Sequence, residues 1–254
     1  MAILKTLYWD IETSPNVVLA WGASYKERLT YENILEERKI ICICWKWKNQ
    51  DKVYSAHWGK EQCDKKALEK FAKEARKADL LVAHNGNNFD LKWVKTRCLL
   101  HGVDFPAKPQ TRDTLKRARG NFRFNSNRLD YIGQFLGVGE KMETGGFNLW
   151  KQVMKGEKKA LTQMVEYCKE DCRLLERVDE KITRLTPVEV HAGVMNGQDK
   201  WTCPSCGSDE VHSNKKRATA AGTIKREMKC KSCNRHYTIS NKSYMDYLKF
   251  KMNQ

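Results

Sequence analysis

Tyr8-Trp9-Asp10-Ile11-Glu12-Thr13 is the stretch whose reading decides the fold. It ends an apolar, aromatic run from Ile3 to Ile11 that predicts a buried strand, and Thr13-Ser14-Pro15-Asn16 stops that strand with turn chemistry. Side chains alternate along a strand, so Asp10 and Glu12 share one face. Neighbouring carboxylates repel unless a cation joins them, and so apolar a strand should not carry that penalty without cause. The competing reading makes both residues a solvent-facing strand end.

Working outward, Lys39 to Lys48 and Lys52 to His57 alternate as second and third strands, joined by the turn Asn49-Gln50-Asp51. Asp64 reads as the N-cap of a helix running to about Lys77, with Leu68, Phe71, Ala72 and Ala75 on one face. Asp79 to Ala83 is a fourth strand. Phe89 to His101 is a helix closed by Gly102, and a fifth short strand precedes Asp113. Helical patterns follow at Asp113 to Arg119, Leu129 to Leu136 and Leu149 to Met154, then a long helix from about Lys158 to Arg184. A meander of strands, then strands alternating with helices, predicts an α/β domain over residues 1–186: a mixed five-stranded sheet flanked by helices. Residues 187–200 read as a linker, 201–240 as a small cysteine-bearing unit, and 241–254 as a basic helical tail.

The 254 residues are 41% hydrophobic and 31% charged, a globular composition with room for one sizeable core and an appendage. Apolar runs such as Ile40 to Trp45 are too short to span a bilayer, so no membrane partner is expected. Met1 leads straight into a strand-like run with no secretory pattern, which points to the cytosol. The net charge of +16 is compatible with a lysine-rich surface or with a polyanion partner, and alone does not choose. Six of the ten cysteines (Cys42, Cys44, Cys63, Cys98, Cys168, Cys172) lie in apolar-periodic segments and read as reduced core thiols.

Further acids recur downstream. Asp90 follows Ala83-His84-Asn85-Gly86-Asn87-Asn88-Phe89 at a helix start, where a carboxylate is favoured whether or not it has a function. Tyr167 and Asp171, at i and i+4, share a face of the long helix beside the stripe Leu161, Val165, Cys168, Cys172 and Leu175. They are either site residues or a half-exposed flank.

These segments together resemble the DEDD 3′–5′ exonucleases. Tyr8 to Thr13 matches the family's first motif, D-x-E on the first strand. Asn85 through Phe89-Asp90 resembles the second, and Tyr167-x-x-x-Asp171 matches the tyrosine form of the third. The histidine subclass would have its histidine where Glu166 stands. The chain is similar to the exonuclease domain of family B DNA polymerases. Over nearly its whole length it is also similar to stand-alone bacteriophage exonuclease-like proteins with a C-terminal cysteine ribbon. Supporting stretches are Asp10 to Asn16, Asp113-Thr-Leu115, Ser126-Asn-Arg-Leu129 and Leu136-Gly137.

The resemblance implies a ribonuclease H-like fold and a bacterial or phage-infected host cytosol. It also implies two Mg²⁺ (or Mn²⁺) ions, with Asp10 bridging both and Glu12 and Asp171 serving the ion that carries the attacking water. Asp90 would serve the ion at the leaving group, and Tyr167 would orient the water. Asn85 and Phe89 match motif positions and are the candidates for nucleic-acid contact there; Asn85 would contact the substrate or fix the motif loop, and for Phe89 core packing is favoured over stacking on a base. Asp113 reads as a helix cap outside the site; Trp21, Trp45 and Trp47 could stack on bases, but buried or edge-strand packing is the favoured reading of each.

Cys203-Pro-Ser-Cys206 and Cys230-Lys-Ser-Cys233 are two knuckles with a 23-residue spacer. Four thiolates satisfy tetrahedral zinc, and each C-x-x-C lets one turn supply two of them. Gly207 suits the first turn, Thr219 to Met228 a β-hairpin, and His212 and His236 read as surface groups. One structural Zn²⁺ in a small β-ribbon is expected, its metal supplying folding energy that so small a core lacks. Lys215, Lys216, Arg217, Lys225 and Arg226 are candidates for gripping phosphate, with a replication or recombination protein as the alternative partner.

The resulting expectation is a two-metal 3′–5′ exonuclease on single-stranded DNA. The alternatives are an RNA-directed exonuclease and a nucleic-acid-binding accessory factor recruited through the ribbon. A transposase-like DNA-binding protein would explain the ribbon but not the three ordered motifs.

Overall fold

The computed structural model describes residues 4–22 and 26–253; Ile3 of the expected first strand and Gln254 of the expected tail lie outside the described residues. Two units are distinguished, Thr6–Ile182 and a second that groups residues 4–5 with the chain from Thr183 onward.

In the first unit, β1 (Thr6–Thr13) is followed by a small pair, β2 (Val17–Val18) and β3 (Ile34–Glu36), that the sequence did not signal. Then come β4 (Ile40–Trp47), β5 (Val53–His57), α1 (Lys65–Ala75), β6 (Leu80–Ala83), α2 (Asp90–His101), β7 (Thr111–Asp113) and α3 (Thr114–Asn121). Helices α4 (Leu129–Phe135), α5 (Phe147–Met154) and α6 (Lys158–Thr183) complete it. The sheet is the expected mixed, five-stranded one, in the order β5-β4-β1-β6-β7. The pairs β1–β4 and β4–β5 are antiparallel, and β1–β6 and β6–β7 are parallel.

Strand alternation gives this sheet two different faces. Leu7, Trp9 and Ile11 of β1 and Ile43 and Trp45 of β4 pack on Leu68 and Phe71 of α1 and Val94 of α2. Phe71 is fully buried, its ring centroid 4.8 Å from Trp9 and 5.8 Å from Trp45. The opposite face sets Cys42 and Cys44 against Met164, Val165, Cys168 and Cys172 of α6. Tyr8, Asp10 and Glu12 have the other parity of β1 and point toward α6. Tyr8 Oη donates to Asp179 Oδ2 at 3.1 Å, and Arg112 Nη1 donates to the same oxygen at 2.9 Å, which ties β1 and β7 to the long helix.

Three local expectations are corrected. Asp64 precedes α1 but its side chain makes no cap bond. Its buried carboxylate instead accepts from Arg97 Nε and Nη2 at 2.7 and 2.9 Å and from the Ile40 amide at 3.0 Å. A charged guanidinium is the stronger partner. Cys63 is exposed in the turn before α1, unlike the other five core thiols. Trp21 is wholly exposed beyond β2, whereas Trp45 is buried and Trp47 packs on the core.

The second unit holds α7 (Ala192–Met195), β8 (Val211–Ala218), β9 (Ile224–Cys230), β10 (His236–Ser240) and α8 (Asn241–Met252), with strand order β10-β9-β8. Residues 187–200, read as a linker, are bonded into it. Ala192 is fully buried and its amide donates to Pro204 O at 2.9 Å, and Arg235 donates to the Thr183 and Thr186 carbonyls. The basic tail is helical but not loose. Trp201 packs 5.5 Å from Tyr247 and 4.7 Å from Phe250, and Tyr247 Oη donates to Val211 O at 3.1 Å.

Candidate active site

Asp10 and Glu12 leave β1 on the face toward α6, and Asp171 meets them from that helix; ligand oxygens of the three lie within 4.8 Å of one another. The β1–β4 ladder shifts register between Glu12 and Thr13, an irregularity of the kind that re-aims side chains. Asp90 stands outside that cluster of three but adjoins it. It opens α2, is 3% exposed, and accepts the Ile11 amide at 3.3 Å, between the two motif acids. Asp171 is 2% exposed, and its Oδ1 is buried with no hydrogen-bond partner among the described residues. Tyr167 lies one helical turn before it, half-buried.

These acids crowd one another out of water. Burial, then the charge of Asp171, pushes Glu12 up to about 8. Burial pushes Asp90 up to about 7, against the bond from Ile11. Asp10 is raised by burial and by the charges of Asp90, Asp171 and Glu12, and Asp171 is raised mainly by burial. A bound cation reverses that logic by favouring the ionised forms. Hard divalent ions take such oxygen donors, so the acid set and the partnerless Asp171 oxygen fit a metal. Tyr167 is pushed up to about 12 by burial and Asp171, so its hydroxyl keeps its proton at neutral pH.

Sequence reasoning missed Lys141. Its ammonium bonds Asp171 Oδ2 and, at 3.1 Å, the Tyr167 hydroxyl. Burial works against its charge, but Asp171 and Asp10 hold it above the ordinary lysine value. It sits between α4 and α5, where its amide donates to Asp130 Oδ1 at 2.8 Å. Close packing holds that loop: a Cβ on Gly133 would lie 2.6 Å from Gly139 O and 2.7 Å from Leu174 Cδ1. A lysine outside any periodic element, among 47 Lys and Arg, gives no signal in the sequence.

The second motif loop is held by Asp113. This residue caps α3 through the Leu115 and Lys116 amides, as expected. It also accepts from the amides of Asn85, at 3.0 Å, and Asn87, at 3.2 Å. Asn85 is left-handed (φ 66°) and borders, with Lys141, a groove of about 1100 Å³. Phe89 packs against the sheet core.

In the second unit, Cys203, Cys206, Cys230 and Cys233 bring their sulfurs within 4.8 Å of one another, a group that contains neither His212 nor His236. Gly207 (φ 72°) and Asn234 (φ 58°), each following the second cysteine of a knuckle, supply the left-handed turns. Of the basic candidates, Arg217 pairs with Glu227 at 2.6 Å and Arg226 lies 4.3 Å from the Tyr244 ring. Lys215, Lys216 and Lys225 are exposed.

The model of the RNase H superfamily matches residues 7–183. Among solved structures, the family B DNA polymerase from the hyperthermophilic archaeon Pyrobaculum calidifontis is similar, with a TM-score of 0.53 and 14% identity over 72% of this chain. The match covers 25% of the polymerase, and at that identity it establishes the fold alone. No curated protein matches the chain. Both matches bear out the fold that the motifs implied, and the superfamily match supports a nuclease-type function. No helix among the described residues is long and apolar enough to cross a membrane.

Proposed function

The chain belongs to the RNase H superfamily, and from that premise we propose that it is a divalent-metal-dependent 3′–5′ exonuclease acting on single-stranded DNA. The observation that carries this reading is the convergence of Asp10, Glu12 and Asp171, with a buried, partnerless oxygen on Asp171. Asp10, Glu12, Asp90 and Asp171 would hold two Mg²⁺ or Mn²⁺ ions. Such ions, when bound, supply Lewis acidity and lower the pKa of a water.

The protein's own residues do the rest. The four carboxylates offset the cationic charge. Tyr167, protonated at neutral pH, can donate to or accept from the attacking water and orient it, but does not act as a strong base. Lys141 adds positive charge beside Asp171, where a phosphate would arrive. Asn85 borders both the motif loop and the groove, and would hold the terminal nucleotide. Phe89, packed on the core, would support that loop rather than touch the strand.

Cys203, Cys206, Cys230 and Cys233 would hold one structural Zn²⁺. The ribbon would grip nucleic acid chiefly through Lys215, Lys216 and Lys225, since Arg217 and Arg226 are engaged inside it.

The test is digestion of 5′-labelled single-stranded DNA, duplex DNA and RNA, with Mg²⁺ and Mn²⁺ compared. A ladder of labelled products shortening from the 3′ end of the single strand is expected. Immediate release of the labelled 5′ nucleotide would overturn the polarity.

A further inference from the structure

We propose that Phe122, Phe124, Phe135 and Tyr131 form a stacking track for single-stranded nucleic acid, leading into the groove beside the carboxylates. Only the track's direction rests on the nuclease reading.

The four rings make one row, with successive centroid separations of 5.4 Å (Phe122–Phe124), 5.4 Å (Phe124–Phe135) and 6.3 Å (Phe135–Tyr131). Phe135 is 65% exposed and Phe122, Phe124 and Tyr131 are half-buried beside it, so the exposed ring belongs to a contiguous aromatic patch rather than standing alone. The row adjoins the groove: Asn125, next to Phe124, and Gln134, next to Phe135, both line it. Arg119, Arg123 and Arg128, which flank the rings in sequence, are exposed, and none makes an ion pair among the described residues.

The groove's lining carries Arg119, Arg128 and Lys141 together with Asp130, Glu140 and Glu143, so its formal charge is balanced. Electrostatics alone would therefore hold a strand there weakly, and ring faces are the remaining source of affinity. Aromatic stacking accepts any base, provided the bases are unpaired, and guanidinium groups meet the phosphates between them. A purely apolar partner would leave the Arg123 guanidinium, which lies between Phe122 and Phe124 in sequence and outside the groove lining, unmatched. The track is also linked to the site. His84 bonds Asn127 O and Thr114 Oγ1, each at 2.9 Å, joining the loop after Phe124 to the residue beside Asn85.

The test uses the full-length chain and a fluorescein-labelled oligothymidylate, with anisotropy read in the absence of added divalent ions. The Phe124→Ala/Phe135→Ala double variant is expected to weaken binding about tenfold or more. Phe135→Trp should retain binding and Arg123→Glu should weaken it. Hydrolysis of the p-nitrophenyl ester of thymidine 5′-monophosphate, too short to reach the rings, should not change in any of them. Equal affinity of wild type and the double variant would overturn the track. So would an equal loss of ester hydrolysis, which marks the rings as structural. If wild type binds the strand through the rings yet hydrolyses nothing with Mg²⁺, the track stands and the nuclease reading falls.

Discussion

Lys141 and Asp171, separated by 30 positions in sequence, form an ion pair at the centre of the acid cluster, and the same ammonium touches Tyr167. An ammonium and a divalent ion that draw on one carboxylate compete by simple Coulomb repulsion. Lys141→Met is therefore expected to lower, several-fold, the Mg²⁺ concentration that gives half-maximal hydrolysis. It should also slow turnover, because Tyr167 loses its partner. Titrating the rate with Mg²⁺ checks both, and a higher half-saturating concentration would contradict the competition.

The raised acids make the metal-free protein sensitive to alkali. Glu12 near 8 and Asp90 near 7 lie well above the ordinary carboxylate values. Between about pH 4, where unfolded carboxylates titrate, and the folded values, the native chain binds more protons than the unfolded one, so stability falls as pH rises. The melting temperature without metal should be lower at pH 9 than at pH 6. Mg²⁺ should flatten that difference, since the acids are then ionised in the folded state. Identical slopes with and without Mg²⁺ would argue against these acids as ligands.

Asp64 is structural. Burial opposes its charge, but the Arg97 fork, the Ile40 amide and His101 hold its carboxyl below the ordinary range. Asp64→Ala would leave the Arg97 guanidinium buried and unpaired, at a cost of about 3–5 kcal/mol. Urea unfolding of the variant measures this, and a loss below about 1 kcal/mol would show that Arg97 finds water instead.

Removing zinc should unfold the second unit alone. Its core is small and Trp201, at 2% exposure, reports on it. A chelator, or Cys230→Ser, is expected to shift the tryptophan emission and to weaken oligonucleotide binding more than it slows hydrolysis of the thymidine ester. A single zinc per chain should be released. An unchanged spectrum after complete chelation would remove the ribbon's dependence on metal.

Much of this was legible in the sequence because strand and helix periods are local. Alternation along β1 put Asp10 and Glu12 on one face, and the i, i+4 spacing paired Tyr167 with Asp171. What remained hidden depends on distant chain segments meeting. Asp64 looks like a helix cap until Arg97 arrives from α2. Asp113 looks like one too, and is, but the Asn85 and Asn87 amides converge on it as well. Lys141 lies on a loop, where no period marks a residue as inward-facing. The short β2–β3 pair and the docking of residues 187–200 depend on backbone bonds, which side-chain patterns do not report.

The most direct measurement is hydrolysis of 5′-labelled single-stranded DNA by wild type, Asp10→Ala and Asp171→Ala in Mg²⁺, with circular dichroism as a check that all three fold. Loss of at least about a thousandfold in rate for both variants, with folding intact, is the expected result. Cleavage at the wild-type rate by either folded variant would contradict the assignment of these carboxylates as the catalytic centre.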